Sequence, residues 1–184
     1  MVADIGLEHL SEFEHRAQTI TTAMTAKGFK VDQTYAFALG EELAAEQANS
    51  ERRATEMGVD NCNSTAQVAA ALTDRGAVLT ETTPSGATKV DKTVLAGLDD
   101  DLARQVLAAK NASKTLSSYV DPLIEAAVID GRVHCRIRSL AAKTGRQSIS
   151  NPPLQQLPSG DHRVRSCLVP DDGMALVAAD FSQV

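Results

Sequence analysis

Asp180 stands at the end of an apolar run in "ALVAADFSQV" (Ala175–Val184). A carboxylate at the end of a buried strand is a common place for catalytic chemistry, but such groups rarely work alone. A second stretch, "KTGRQSISNPPLQQLP" (Lys143–Pro158), offers two cations (Lys143, Arg146), the side-chain amides of Gln155 and Gln156, and several hydroxyls. Its glycine, Gly145, permits close backbone approach. Such a set suits a nucleic-acid duplex, with cations for phosphates and an Arg or Gln to read the groove floor. A polar surface loop accounts for the same composition equally well.

Charge distribution bears on that choice. The 184 residues carry a formal net charge of −6, which by itself argues against a nucleic-acid partner. From Arg132 to Arg165, however, stand seven basic residues (Arg132, Arg136, Arg138, Lys143, Arg146, Arg163, Arg165) against one acid, Asp161. That window carries +6 and the remainder −12. A basic stretch concentrated in an acidic chain is expected where a phosphate backbone is gripped. The other reading is a basic surface neutralised by the protein's own acids.

Several classes are disfavoured. No uninterrupted apolar stretch approaches the length needed to span a bilayer, and "MVADIGLEHL" lacks the basic and apolar regions of a secretory signal; no membrane partner is expected. Cys62, Cys135 and Cys167 are odd in number and none lies at metal-ligand spacing, so reduced thiols in a cytoplasmic protein are expected. His134 and His162 show no such spacing either. His134 is assigned to a strand pattern and His162 to the surface. Aromatic residues make up 3% with no Trp. That favours an Ala- and Leu-rich helical core over aromatic platforms for single strands.

The elements that must position these groups read in two parts. Leu10, Phe13, Ala17, Ile20 and Met24 step by three and four, predicting a helix over His9 to Lys27 with one apolar stripe and a stop at Gly28. Asp32 is a good N-cap for a second helix, largely solvated, that runs to about Met57. Ser64 and Gln67 at capping-box spacing open a short helix that ends at Gly76. A Thr/Pro/Ser/Gly-rich loop follows, and Asp91 caps another short helix through Leu98. Residues 100 to 121 predict the last long helix, with Leu102, Val106, Leu116 and Val120 inward and Pro122 bending or restarting it. After Asp130-Gly131 the pattern changes. "RVHCRI" alternates, Val133, Cys135 and Ile137 facing one way, and "MALVAADF" reads as a strand buried on both faces. The fold class is α+β, with a helical region 1–129 followed by the opening strands of a sheet in 130–184 that is incomplete as it stands.

Taken together, "DGRVHCRIRSLAAKTGRQSISNPPLQQLP" and "LVPDDGMALVAADFSQV" resemble family A DNA polymerases, the DNA polymerase I type. That family carries a "GR-hydrophobic-H" strand, then "TGR…S…S…P…LQ…P", then an apolar strand that ends in "D-aromatic-S-Q". The helical part is similar to the family's thumb at "AKGFKVD", "NCNSTAQVAAAL" and "SKTLSSYVDPL". The resemblance covers about residues 16 to 184. It implies a thumb-like region 1–129 and the opening of a palm in 130–184, with template-directed addition of deoxynucleotides to a primer 3′-OH as the parent activity.

Residue by residue, the resemblance implies that Asp180 is the first metal-binding carboxylate, with the Phe181 backbone carbonyl on the same ion. Two Mg²⁺ ions serve nucleotidyl transfer, one activating the 3′-OH and both stabilising charge on phosphate. Arg146 falls at the arginine that reaches the minor groove at the primer terminus. Gln155 and Gln156 fall at duplex contacts, and Lys143 joins the basic DNA-contact segment. Lys114, Ser117 and Ser118 fall at the phosphate-gripping tip of the thumb helix, and Ser182 and Gln183 near the incoming deoxynucleoside triphosphate. The implied partners are primer–template DNA and deoxynucleoside triphosphates.

The chain departs from the family at Pro153, where many relatives have Asn, at "SGDHR" after Pro158, and at Leu116, a position often basic. The glutamate that follows "SQ-aliphatic", the fingers helix and a second metal carboxylate in an "HD" dipeptide have no counterpart in the 184 residues. The chain alone is therefore expected to bind duplex weakly and to be catalytically incomplete, as a truncated piece or one chain of a split enzyme with a complementing partner. A non-enzymatic DNA-binding module and an acidic helical interaction protein are the competing readings.

Overall fold

The structure, a computed structural model, describes residues 6–84, 86–158, 160–179 and 182. The chain divides into two compact units, Ala38–Ser118 and the flanking segments Met1–Phe37 with Tyr119–Val184.

The Ala38–Ser118 unit is helical because its apolar residues recur at helical spacing and its helix starts are capped. α2 (Gln33–Glu56) begins in the other unit and buries a single stripe of Ala36, Leu39, Leu43, Ser50 and Ala54, with the rest of its surface largely solvated. Asp32 caps it, accepting from the Tyr35 N–H at 3.0 Å. α3 (Thr65–Asp74) starts at Ser64, whose hydroxyl accepts from the Gln67 N–H. The reciprocal arm of the expected capping box is rerouted. Gln67 Oε1 accepts from the Asn61 N–H at 3.1 Å, and the Ser64 N–H donates to the Asn61 carbonyl. α4 (Lys92–Gly97) is capped by Asp91 through the N–H groups of Thr93 and Val94, and α5 (Asp101–Thr115) by Asp100 through Ala103. Val59, Val68, Leu72, Leu95, Leu102 and Val106 form the core of this unit. Burying each such side chain contributes roughly 1.5–3 kcal/mol.

α5 does not run to residue 121. Its last turn widens into a π-helical segment, Leu116–Val120, and Pro122 sits in the first turn of a new helix, α6 (Asp121–Ala126). Proline lacks the N–H that a continuing helix would need, but an early helical position leaves that group unpaired anyway. Leu102, Val106 and Val120 are buried as the pattern predicts, and Leu116 is half-buried.

The second unit holds α1 (Glu8–Lys27), β1 (Phe29–Val31), α6, β2 (Arg132–Val133), β3 (Arg136–Arg138), β4 (Ser148–Ser150), α7 (His162–Arg165) and β5 (Leu168–Val169). β1 is a correction, since that region reads as helix and loop alone. Its three residues pair antiparallel with β2 (Phe29↔Val133, Lys30↔Arg132) and with β5 (Lys30↔Val169, Val31↔Leu168). The sheet order is thus β2-β1-β5, and β3 pairs with β4 in a separate two-stranded ribbon. The alternation expected over "RVHCRI" holds at Val133 and Cys135, both buried, but the strand breaks at His134-Cys135 between the two sheets.

Two further expectations are overturned. The apolar stripe of α1 does not form its packed face. Phe13 and Ile20 are each 61% exposed, and the buried contact is Thr21. The face that meets β3 is built from small and polar residues, with Thr25 Oγ1 donating to the Cys135 carbonyl at 3.0 Å and Ser139 Oγ donating to Gln18 Oε1. Residues 174–179 of the expected buried strand carry no regular structure, and Val177 is 88% exposed. No described strand lies alongside to supply the ladder hydrogen bonds that such a strand requires.

Gly28 ends α1 at φ 62°, ψ −175°. A Cβ there would stand 2.7 Å from the Val133 carbonyl oxygen and 2.8 Å from His134 Nδ1. The conformation is open to glycine alone, and the close approach is what seats α1 on β2. Gly28→Ala is expected to destabilise this unit by at least ~1–3 kcal/mol, read as a lower urea midpoint; an unchanged midpoint would contradict the close packing. Amide exchange offers a second check, with residues 174–179 exchanging at near-unprotected rates while Leu102 to Ala112 of α5 are strongly protected.

Candidate nucleic-acid interface

The segment that carries Lys143 and Arg146 is the turn of the β3–β4 ribbon. Pairing at Arg136↔Ser150, Ile137↔Ile149 and Arg138↔Ser148 brings its ends together. Within the turn, Ala142 N–H donates to the Arg146 carbonyl at 3.2 Å and Gly145 N–H to the Ala142 carbonyl at 3.0 Å. Gly145 has φ 77°, a left-handed value that explains a glycine between Thr144 and Arg146. Lys143 and Arg146 are both exposed, and among the described residues neither enters an ion pair. The chain then crosses a cis Asn151–Pro152 bond into a 3₁₀ turn, Leu154–Gln156, which carries Gln155 and Gln156 on its exposed side.

Lys114, Ser117 and Ser118 lie where α5 passes into the π-helical segment, and all three are exposed. Lys114 sits in the last turn of α5, where a cation complements the helix dipole. At the opposite end, Asp99 and Asp101 pair with Arg104 and Asp100 pairs with Arg75. The helix is thus acidic at its start and basic at its exposed end. Ser117 Oγ donates back to the Ser113 carbonyl at 2.8 Å. Since this group belongs to the Ala38–Ser118 unit and the ribbon to the other, each is a local feature of its own unit.

Ser182 is exposed. Asp180, Phe181 and Gln183 lie outside the described residues. Among the described residues no three His, Cys, Asp or Glu side chains converge to hold a metal ion. No described helix is long and apolar enough to cross a membrane.

His134 has a role that the sequence pattern misses. Its Nδ1 lies 2.8 Å from the Thr25 carbonyl oxygen and its Nε2 lies 2.9 Å from Asp130 Oδ2. Both neighbours accept hydrogen bonds, so only the doubly protonated ring satisfies both. The Thr25 carbonyl first, then Asp130, raises the His134 pKa, partly opposed by burial and by Arg132. The His134 hydrogen bond holds the Asp130 carboxyl below its ordinary range. Beside them Arg132 Nη1 meets Asp171 Oδ1 at 2.6 Å, and Lys30 Nζ meets Asp172 Oδ1 at 2.8 Å. These contacts fasten the strand that leads into the ribbon.

An α+β chain of this layout, with a capped helical unit and a basic ribbon, has the fold of part of a polymerase domain. It superposes with a TM-score of 0.80 on the POL domain of Pol1 from M. smegmatis, solved in complex with DNA primer-template and dNTP, at 27% identity over 95% of this chain and 32% of that one. The family model for DNA polymerase family A matches residues 33–184. The chain belongs to DNA polymerase family A. The DNA polymerase of Mycobacterium phage L5 is 32% identical over 98% of this chain and 31% of that protein. The thermostable DNA polymerase I of Thermus aquaticus is 30% identical over 94% of this chain and 22% of that protein. The chain therefore spans between about a fifth and a third of the length of these relatives.

The His134 clamp has a signed pH dependence. Its contribution is fully present below the ordinary imidazole pKa of about 6.5 and is lost as pH rises through the raised folded value. That of Asp130 is present above about 3.9 and lost as pH falls through its lowered folded value. Proton NMR of the His134 ring is expected to show a midpoint above that of a free histidine, and Asp130→Asn is expected to lower it. An identical midpoint in the two proteins would rule the clamp out.

Proposed function

We infer that this chain carries the primer–template grip of a DNA-directed DNA polymerase that adds deoxynucleotides to a primer 3′-OH. The observation that carries the reading is the ribbon turn, where Lys143 and Arg146 are held out on a paired, glycine-turned scaffold and pair with no carboxylate among the described residues. Arg146 enters the minor groove at the primer terminus, where correct pairs of either kind present acceptors at similar positions. Lys143, Gln155 and Gln156 contact the duplex beside it. Lys114, Ser117 and Ser118 grip backbone phosphates from a thumb-like region that extends to about residue 129, the palm beginning at 130. Ser182 and Gln183 lie near the incoming deoxynucleoside triphosphate.

Asp180, with the Phe181 carbonyl, is one ligand of a divalent cation, Mg²⁺ in this reading. When bound, such an ion supplies Lewis-acid stabilisation of charge on phosphate. The family's second carboxylate and fingers helix have no counterpart in these 184 residues, so in this reading the chain alone binds DNA and transfers no nucleotide. A complementing chain with the remaining parts would restore the transfer.

The test is fluorescence anisotropy with a primer–template duplex at several salt concentrations. Binding is expected to weaken steeply with salt. Arg146→Ala is expected to cost ~1–3 kcal/mol. Lys114→Ala is expected to weaken binding uniformly and to reduce the salt slope by about 1. No binding at low salt would sink the reading.

A further inference from the structure

The seven cations between Arg132 and Arg165 are sorted by the fold. Arg132 is committed to Asp171 and to the carbonyls of Lys27 and Gly28. Arg163 is forked against Asp161, with Nη2 to Oδ2 at 3.1 Å. Arg165 donates to the carbonyls of Pro158 and Leu157 at 2.9 and 3.3 Å. The remaining four (Arg136, Arg138, Lys143 and Arg146) are exposed, enter no ion pair among the described residues, and all belong to the β3–β4 ribbon or its turn.

Arg136 and Arg138 are not part of the turn. They sit on β3 directly opposite Ser150 and Ser148. Paired residues in an antiparallel ladder share a face, so one face of the ribbon carries two guanidiniums and two hydroxyls. The other carries Ile137 and Ile149, both half-buried. Residues two apart on an antiparallel strand stand ~6.8 Å apart, close to the separation of successive phosphates along a nucleic-acid strand. Four like charges on so short a ribbon repel one another, and an external polyanion relieves that repulsion. Guanidinium forks and serine hydroxyls are donors suited to phosphate oxygens.

We propose that the Arg136/Arg138/Ser148/Ser150 face of the ribbon is a second DNA surface, which takes the sugar-phosphate backbone of a strand alongside the groove contact made by Arg146. It rests on the polymerase-grip reading above and extends it to residues that carry no groove readout. Its contribution is independent of base sequence, and each arginine that neutralises a phosphate releases counterions.

The test uses the full chain and a primer–template duplex, with binding measured across a range of salt. Arg136→Gln/Arg138→Gln is expected to lower the magnitude of the log K against log salt slope by about 1.8, from two contacts at ~0.9 each, equally for duplexes of different sequence. Arg136→Lys/Arg138→Lys is expected to retain the slope. Ser150→Glu, which places a carboxylate opposite Arg136 without removing either arginine, is expected to weaken binding and flatten the slope as well. A wild-type chain that binds and loses affinity on Arg146→Ala, but keeps its slope in the Gln double variant or in Ser150→Glu, overturns this surface and leaves the polymerase-grip reading standing. Absence of binding by the wild-type chain overturns both.

Discussion

The end of α1 sets the problem that this unit is built to solve. The last carbonyls of a helix have no partner within it, and here α1 passes into β1 through one residue, Gly28. Side chains from more than 100 positions away supply the missing donors. His134 meets the Thr25 carbonyl, while Arg132 Nε meets that of Lys27 at 2.7 Å and Arg132 Nη2 that of Gly28 at 3.2 Å. The strand that caps the helix is the strand that continues into β3, so the ribbon inherits its position from the helix terminus. Gly28 makes the approach possible because a side chain there would occupy the space of the Val133 carbonyl.

That arrangement also decides which charges remain outside. Arg132, drawn to two carbonyls, brings Asp171 with it, and Lys30 and Lys27 gather on Asp172 and Asp171. The acids that follow β5 are thereby spent on the sheet. Pairs this open to solvent add little to stability, so their consequence here is allocation. Asp171 and Asp172 are engaged by Lys27, Lys30 and Arg132, while the ribbon's four cations enter no ion pair among the described residues, and the acidic chain keeps a basic ribbon.

Much of the helical layout is legible in the sequence because it depends on neighbours. Asp32, Ser64, Asp91 and Asp100 bond to N–H groups within three residues, and such spacing is visible in one dimension. β1 is not legible. Three residues are too short for an alternation to register, and its strand character comes from β2 and β5, far along the chain. The stripe Leu10, Phe13, Ile20, Met24 shows which residues of α1 are apolar but not which face meets a neighbour. The face chosen is that of Thr21 and Thr25, because it satisfies strand backbone. The run after Met174 fails for the same reason as β1 succeeds: ladder partners, not composition, make a strand. In the interface, the Lys143–Arg146 turn is readable from its glycine and cations. The division of seven cations into committed and uncommitted sets is not, since it turns on Asp171 and on carbonyls that no pattern marks.

The thiols carry a consequence of their own. Cys62, Cys135 and Cys167 are free and buried, and burial pushes the Cys167 pKa up to about 11. At neutral pH roughly one such thiol in ten thousand is ionised, and only the thiolate attacks a disulfide reagent or an oxidant. Chemical modification of these sulfurs therefore waits on local opening. Cys62 belongs to the Ala38–Ser118 unit and the other two belong to its neighbour. The native chain thus carries internal clocks in both halves, whose rates of thiol capture time the breathing of each half separately, with no label introduced.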